Sequence, residues 1–206
     1  MKKRLLLLLV IPLFYAPQIA SHTFGKAMLK QQLEKSWGGS VEIGSVSFHW
    51  LKGQSAENVQ WTPEDHFTEY GCRKIEWKAS LFNLKNPSSA QIHEGSCKIK
   101  QGRWALSFPK VEASFTNGAI ELAKTPILSE GMLDLWVEGR IDPPQNHLDL
   151  VIHIPGAGLK KLFGIKELSD DFVLEVPLSG KLDRFSMDKV SSKILKAFLK
   201  ANPLNL

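Results

Sequence analysis

The chain has 206 residues, of which 43% are hydrophobic and 23% charged, a balance that suits a folded β or mixed domain and excludes a disordered chain. Its formal net charge is +5, from 26 basic and 21 acidic residues. Lys2, Lys3 and Arg4 carry three of those charges, and the excess left behind is too small to specify nucleic acid as a partner.

That cationic start precedes the apolar run Leu5 to Ala16. Residues 1–21 therefore read as an export signal or a retained membrane anchor, with the rest of the chain outside the cytoplasm. Residues 22 to 37 predict a helix with one stripe of Phe24, Met28, Leu29, Leu33 and Trp37, stopped by Gly38-Gly39. It would plug the end of a sheet or lie in a membrane interface.

From Ser40 the pattern becomes that of strands. Val41 and Ile43 occupy odd positions, whereas Val46, Phe48 and Trp50 occupy even ones, so a bulge is expected at Gly44. Val59 and Trp61 mark the next strand. Ile75, Trp77 and Ala79 mark one over 72–80, and a strand over 90–100 returns with a second expected bulge at Gly95. Trp104, Leu106 and Phe108 alternate, as do Val111, Ala113 and Phe115 beyond Pro109. Asn117-Gly118 is the strongest hairpin signal in the chain.

The stretch from Thr125 to Met187 has the clearest alternation. Leu133, Leu135, Val137 and Ile141 interleave with Asp134, Glu138 and Arg140. After the turn at 142–146, Leu148, Leu150, Ile152 and Ile154 interleave with His147, Asp149 and His153. A hairpin pairing Ile141 with Leu148 also pairs Val137 with Ile152, which puts both apolar rows on one face. Phe172, Leu174, Val176 and Leu178 add a third row after a short amphipathic insert, Ala157 to Ile165. A last helix, about Met187 to Lys200, carries Val190, Ile194, Ala197 and Phe198 on one face, in a tail made basic by Lys189, Lys193, Lys196 and Lys200. Residues 22–206 thus predict a single, mainly β domain whose antiparallel sheet has one apolar and one wet face.

Nothing nominates an enzyme. The six histidines form no constellation, no metal-ligand spacing or nucleophile motif occurs, and neither a catalytic residue, a metal nor a cofactor is expected. Trp50, Trp61, Trp77 and Trp104 run in phase with apolar rows, which favours core or groove lining over a stacking platform for nucleic acid. Cys72 and Cys97 would face each other if Ala79 pairs with Ala90. A disulfide and two free buried thiols are the two options.

Several stretches in order carry a family resemblance: a helix ending at Gly38-Gly39, then SVEIGSV from Ser40 to Val46, GQSAENVQW from Gly53 to Trp61, IEWKASLFNLKNPSSAQIHEG from Ile75 to Gly95, and VPLSGKL from Val176 to Leu182. They resemble the AsmA-like proteins of bacterial envelopes, as a short member with the two family ends joined. The resemblance implies an elongated curved antiparallel sheet with an apolar concave face, an N-terminal anchor helix, an amphipathic helix before the first strand and a C-terminal helix. It implies a protein anchored in the inner membrane and facing the periplasm, or exported there in soluble form. Its partners would be the membrane and phospholipid, with envelope proteins as further partners. Combined with the apolar rows, it makes Trp77, Leu133, Leu135, Val137, Leu148, Leu150, Ile152, Phe172, Leu174 and Val176 the expected lining of a lipid groove. The competing expectation is a structural or assembly factor of the envelope whose apolar face is covered and which acts through protein contacts.

Overall fold

The computed structural model describes residues 17–18, 21–50, 53–64, 68–79, 87–99, 104–129, 134–163, 169, 171–181 and 192–197. Among the described residues nine strands follow one another in sequence order without a crossover, and the chain divides into two compact units, Met1–Arg103 and Trp104–Leu206.

In the first unit a π-helical turn, Ser21–Gly25, leads into helix α1, Lys26–Trp37. Strands β1 (Ser40–Ser47), β2 (Gln54–Thr62), β3 (Thr68–Lys78) and β4 (Ser89–Ile99) come next, each antiparallel to its neighbour. Helix α1 stops because Gly38 and Gly39 both take positive φ, 72° and 75°. A Cβ at Gly39 would collide with the Thr62 carbonyl oxygen, so the helix can meet β2 this closely only through glycine. Leu29 and Leu33 pack on Val41, Ile43, Val46, Phe48, Ala56 and Val59. The expected five-residue stripe is divided, since Phe24, Met28 and Trp37 are exposed. At about 100° per residue, Phe24 stands half a turn from Leu33 and cannot share its face.

The phase slip read at Gly44 belongs to more than one strand. Inward residues change from Ile43 to Val46 in β1 and from Val59 to Ala56 in β2, yet the pairing register is the same on both sides of the change. The changeover falls at Gly44, Asn58, Arg73 and Glu94, which the registers set in one line across four strands. Asn58 and Glu94 take left-handed backbone there, with φ of 51° and 50°. Instead of separate bulges at Gly44 and Gly95, the unit has a transverse crease with no slipped register. All four strands reverse phase together, which keeps their apolar residues on one side.

The β3–β4 register also differs from the one that would bring the cysteines face to face. Trp77, not Ala79, pairs with Ala90, so Cys72 lies opposite Gly95 and Cys97 opposite Tyr70. Both cysteines are free thiols. A shift of two residues leaves every side chain on its own face, and alternation alone cannot distinguish the two registers.

The second unit holds β5 (Trp104–Thr116), β6 (Ala119–Ser129), β7 (Leu135–Asp142), β8 (His147–Pro155), helix α2 (Gly156–Phe163) and β9 (Val173–Lys181). Residues 192–197 are helical. Asn117 and Gly118, with φ of 52° and 81°, form the left-handed pair of a tight hairpin, and Thr116 pairs with Ala119 across it. The register, the same at both ends of this hairpin, places Pro109 opposite Pro126, where neither residue has an N–H to give the ladder. Between β7 and β8 a 3-10 turn, Pro143–Gln145, is capped by Asp142, whose carboxylate accepts from the Gln145 N–H at 3.2 Å. The hairpin pairs Ile141 with Leu148 and Val137 with Ile152, the register expected from the alternation. Strand β9 then sets Val176 against Ile152 and Leu174 against Ile154. Leu148, Ile152, Ile154, Leu174, Val176 and Leu178 are buried together with Leu159 of α2, and Ile194 and Ala197 pack against them. The architecture is mainly antiparallel β with a helix before the first strand, as the alternation predicts. The apolar run Leu5 to Ala16 and most of the expected last helix lie outside the described residues.

Candidate functional site

Strand β9 closes the strand order, so among the described residues one of its edges has no strand beside it. Leu174, Val176 and Leu178 face the core while Val173, Glu175 and Pro177 alternate outward. Pro177 has no N–H, which makes that edge a poor template for another strand. Beside it stands the helix at 192–197. Ile194 and Ala197, three residues apart, turn one side of that helix to the core. Lys193 and Lys196, also three apart, form the neighbouring stripe.

Between strand and helix lies a cavity of about 700 Å³ lined by Phe172, Val173, Leu174, Glu175, Val176, Pro177, Lys193, Lys196 and Ala197. Its size falls in the range of about 300–1,000 Å³ common for small-molecule sites. Apolar side chains supply most of the wall and the two lysines supply positive charge. Neither lysine has an ion-pair partner among the described residues.

The expected groove residues fall into distinct environments. Leu148, Ile152, Leu174 and Val176 are buried in the core of the second unit, and Leu135, Val137, Leu150 and Phe172 are half-buried around it. Trp77 belongs to the cluster of the first unit. Leu133 lies outside the described residues. Of these, among the described residues, only Phe172, Leu174 and Val176 also line the cavity. Val173, Glu175, Pro177, Lys193, Lys196 and Ala197 complete it. A lysine spacing of three, in step with Ile194 and Ala197, was the available signal for the lysines.

The polar faces hold charged clusters of a different character. His153, with a side chain 12% exposed, reaches Glu138 Oε1 from Nε2 at 2.9 Å and Glu175 Oε1 from Nδ1 at 3.6 Å. In the first unit a second cavity, about 440 Å³, is lined by Glu57, Asn58, Arg73, Lys74, Glu76, His93 and Glu94. Its charges are mutually engaged: Arg73 with Glu94 at 2.6 Å, Lys74 with Glu76 at 2.6 Å and His93 with Glu76 at 3.2 Å. The Lys74 ammonium, hydrogen-bonded to Glu76, holds that carboxyl below its ordinary range, and His93 acts in the same direction. Among the described residues no group of His, Cys, Asp and Glu is arranged to hold a metal ion, and no helix is long and apolar enough to cross a membrane. Comparison of the chain with family models, with curated proteins and with solved structures finds no match.

Proposed function

We propose that the chain is a non-enzymatic envelope protein that binds lipid along the apolar face of its second unit and helps to transfer it. In this reading the protein is anchored in the inner membrane by residues 1–21 and faces the periplasm. The apolar face of the second unit's sheet is, in the same reading, the concave one. The observation that carries the reading is the cavity beside β9, apolar along Phe172, Val173 and Pro177 and backed by the buried apolar rows of β8 and β9. Burial of an acyl chain there would be driven by removal of apolar area from water, at about 25 cal/mol per Å². The resemblance to AsmA-like proteins points the same way.

One observation favours the alternative, a structural or assembly factor acting through protein contacts. Leu159 of α2 and the helix at 192–197 already cover Ile152, Ile154 and Val176. The readings separate in a crosslinking experiment in cells. A photoreactive residue at Phe172 captures phospholipid, and one at His153, engaged with Glu138 and Glu175 on the polar face, does not. Protein adducts at Phe172 with no lipid adduct would sustain the alternative and remove the lipid reading.

A further inference from the structure

We infer that the cavity beside β9 holds one acyl chain of a lipid whose headgroup carries net negative charge, with Lys193 and Lys196 selecting that headgroup. This rests on the lipid-binding reading and adds to it the chemical class of the ligand. The accessible apolar wall, Phe172, Val173, Pro177 and Ala197 with Leu174 and Val176 buried behind it, suits a hydrocarbon chain and offers nothing to a free inorganic anion. Selectivity must therefore come from the rim. The rim has two lysines without ion-pair partners among the described residues and one acid, Glu175. That acid is already engaged with His153 across the β8–β9 pair at 3.6 Å. Among the described lining residues the balance of charge is positive.

The geometry of the short helix makes this arrangement possible. Ile194 and Ala197 fix its inner side against the core, so the stripe that begins one residue earlier at Lys193 runs beside the core stripe. A lysine there can lay its methylene stem along the apolar wall and keep its ammonium in water, where a phosphate would sit. A lysine near an anionic lipid phosphate is worth about a fivefold change in affinity, and two together roughly 30-fold. A zwitterionic headgroup gains less because its own cation opposes the lysines.

The test uses the full chain in a non-ionic detergent, titrated with lysophosphatidylglycerol and lysophosphatidylcholine carrying the same acyl chain. The expected result is binding of both, with the glycerol lipid favoured at low salt by up to about 30-fold and the preference shrinking as salt rises. Lys193→Gln with Lys196→Gln should abolish the preference and leave binding of the choline lipid in place. Ala197→Trp should block both lipids by filling the cavity. Val173→Trp, at an exposed wall position, repeats that block where a loss of fold is not in question. Equal affinity for the two lipids, unchanged by the double substitution, would overturn the headgroup inference and leave the lipid reading standing. Binding of neither lipid would remove both. Binding to phosphatidylglycerol vesicles that is lost in the double variant but untouched by either tryptophan would overturn the cavity assignment in favour of a surface patch.

Discussion

Asn58 shows how much of this sheet depends on single backbone angles. It is an exposed strand residue, where pattern reasoning would welcome a β-branched side chain. Its φ of 51° reverses that preference, because a Cβ-branched residue fits left-handed backbone poorly. Asn58→Val should therefore destabilise the protein by about 2 kcal/mol, the scale of a strained backbone position. The same change at Gln60, two residues along with ordinary strand geometry, should be neutral or favourable. Urea unfolding of both variants checks this, and a stabilised Asn58→Val would mean that the crease is absent. The cysteines give a second prediction at this scale. Burial is the larger influence on both thiols and pushes each above its ordinary value, partly offset by a hydrogen bond from the Val59 backbone at Cys72 and from the Tyr70 side chain at Cys97. A raised thiol pKa favours the folded state while the thiol is protonated. That contribution is complete below the unfolded thiol's pKa and is lost as pH rises through the folded one. Native protein should alkylate slowly near neutral pH and faster in alkali, and unfolded, unreduced protein should expose two thiols per chain. Finding none after unfolding would show a bridge.

Among the elements, α2 has the clearest energetic role. Leu159 is fully buried and belongs to the core that β8 and β9 build. Leu159→Ala should cost about 2–4 kcal/mol through lost transfer energy and the cavity left behind. Leu150→Ala, at a half-buried position of β8, should cost visibly less. Denaturant midpoints of the pair test whether α2 closes the apolar face, and equal small losses would show that it does not. The elements also differ in how well the amino-acid pattern foretold them. The β7–β8 hairpin was legible to the residue, because a five-residue turn leaves little freedom and one face must be apolar. The β3–β4 register was not, because a long connection joins those strands and a shift of two residues preserves both faces. The crease was half legible: a phase slip in β1 was plain, but that it ran on through β2, β3 and β4 depends on cross-strand neighbours that a linear pattern does not name. The cavity was legible only on its strand side. Phe172, Leu174 and Val176 announced an apolar row, whereas the helix at 192–197 could have packed against any apolar surface, and nothing in its spacing chose β9.

For the whole molecule, the distribution of charge makes the strongest claim. Lys2, Lys3 and Arg4 stand before the apolar run Leu5 to Ala16, and no Lys or Arg occurs after that run until Lys26. Under the positive-inside rule this asymmetry is the pattern of a segment whose first residues stay in the cytoplasm, and the envelope reading proposed above predicts that the rest of the chain crosses the membrane. The lipid reading requires that outcome, since a cavity beside β9 can exchange lipid with the envelope only from that side. A phosphatase reporter fused after Leu206 should therefore be active, and a reporter that fluoresces only in the cytoplasm should be dark at the same place. Replacing Lys2, Lys3 and Arg4 with glutamine should weaken the phosphatase signal, because those charges fix the orientation. Retention and cleavage then separate by mass: the intact chain, 23.1 kDa, in the membrane fraction supports an anchor, and a shorter soluble product supports a signal. Cytoplasmic fluorescence with an inactive phosphatase would overturn the envelope assignment, and with it the setting in which the apolar face could meet lipid.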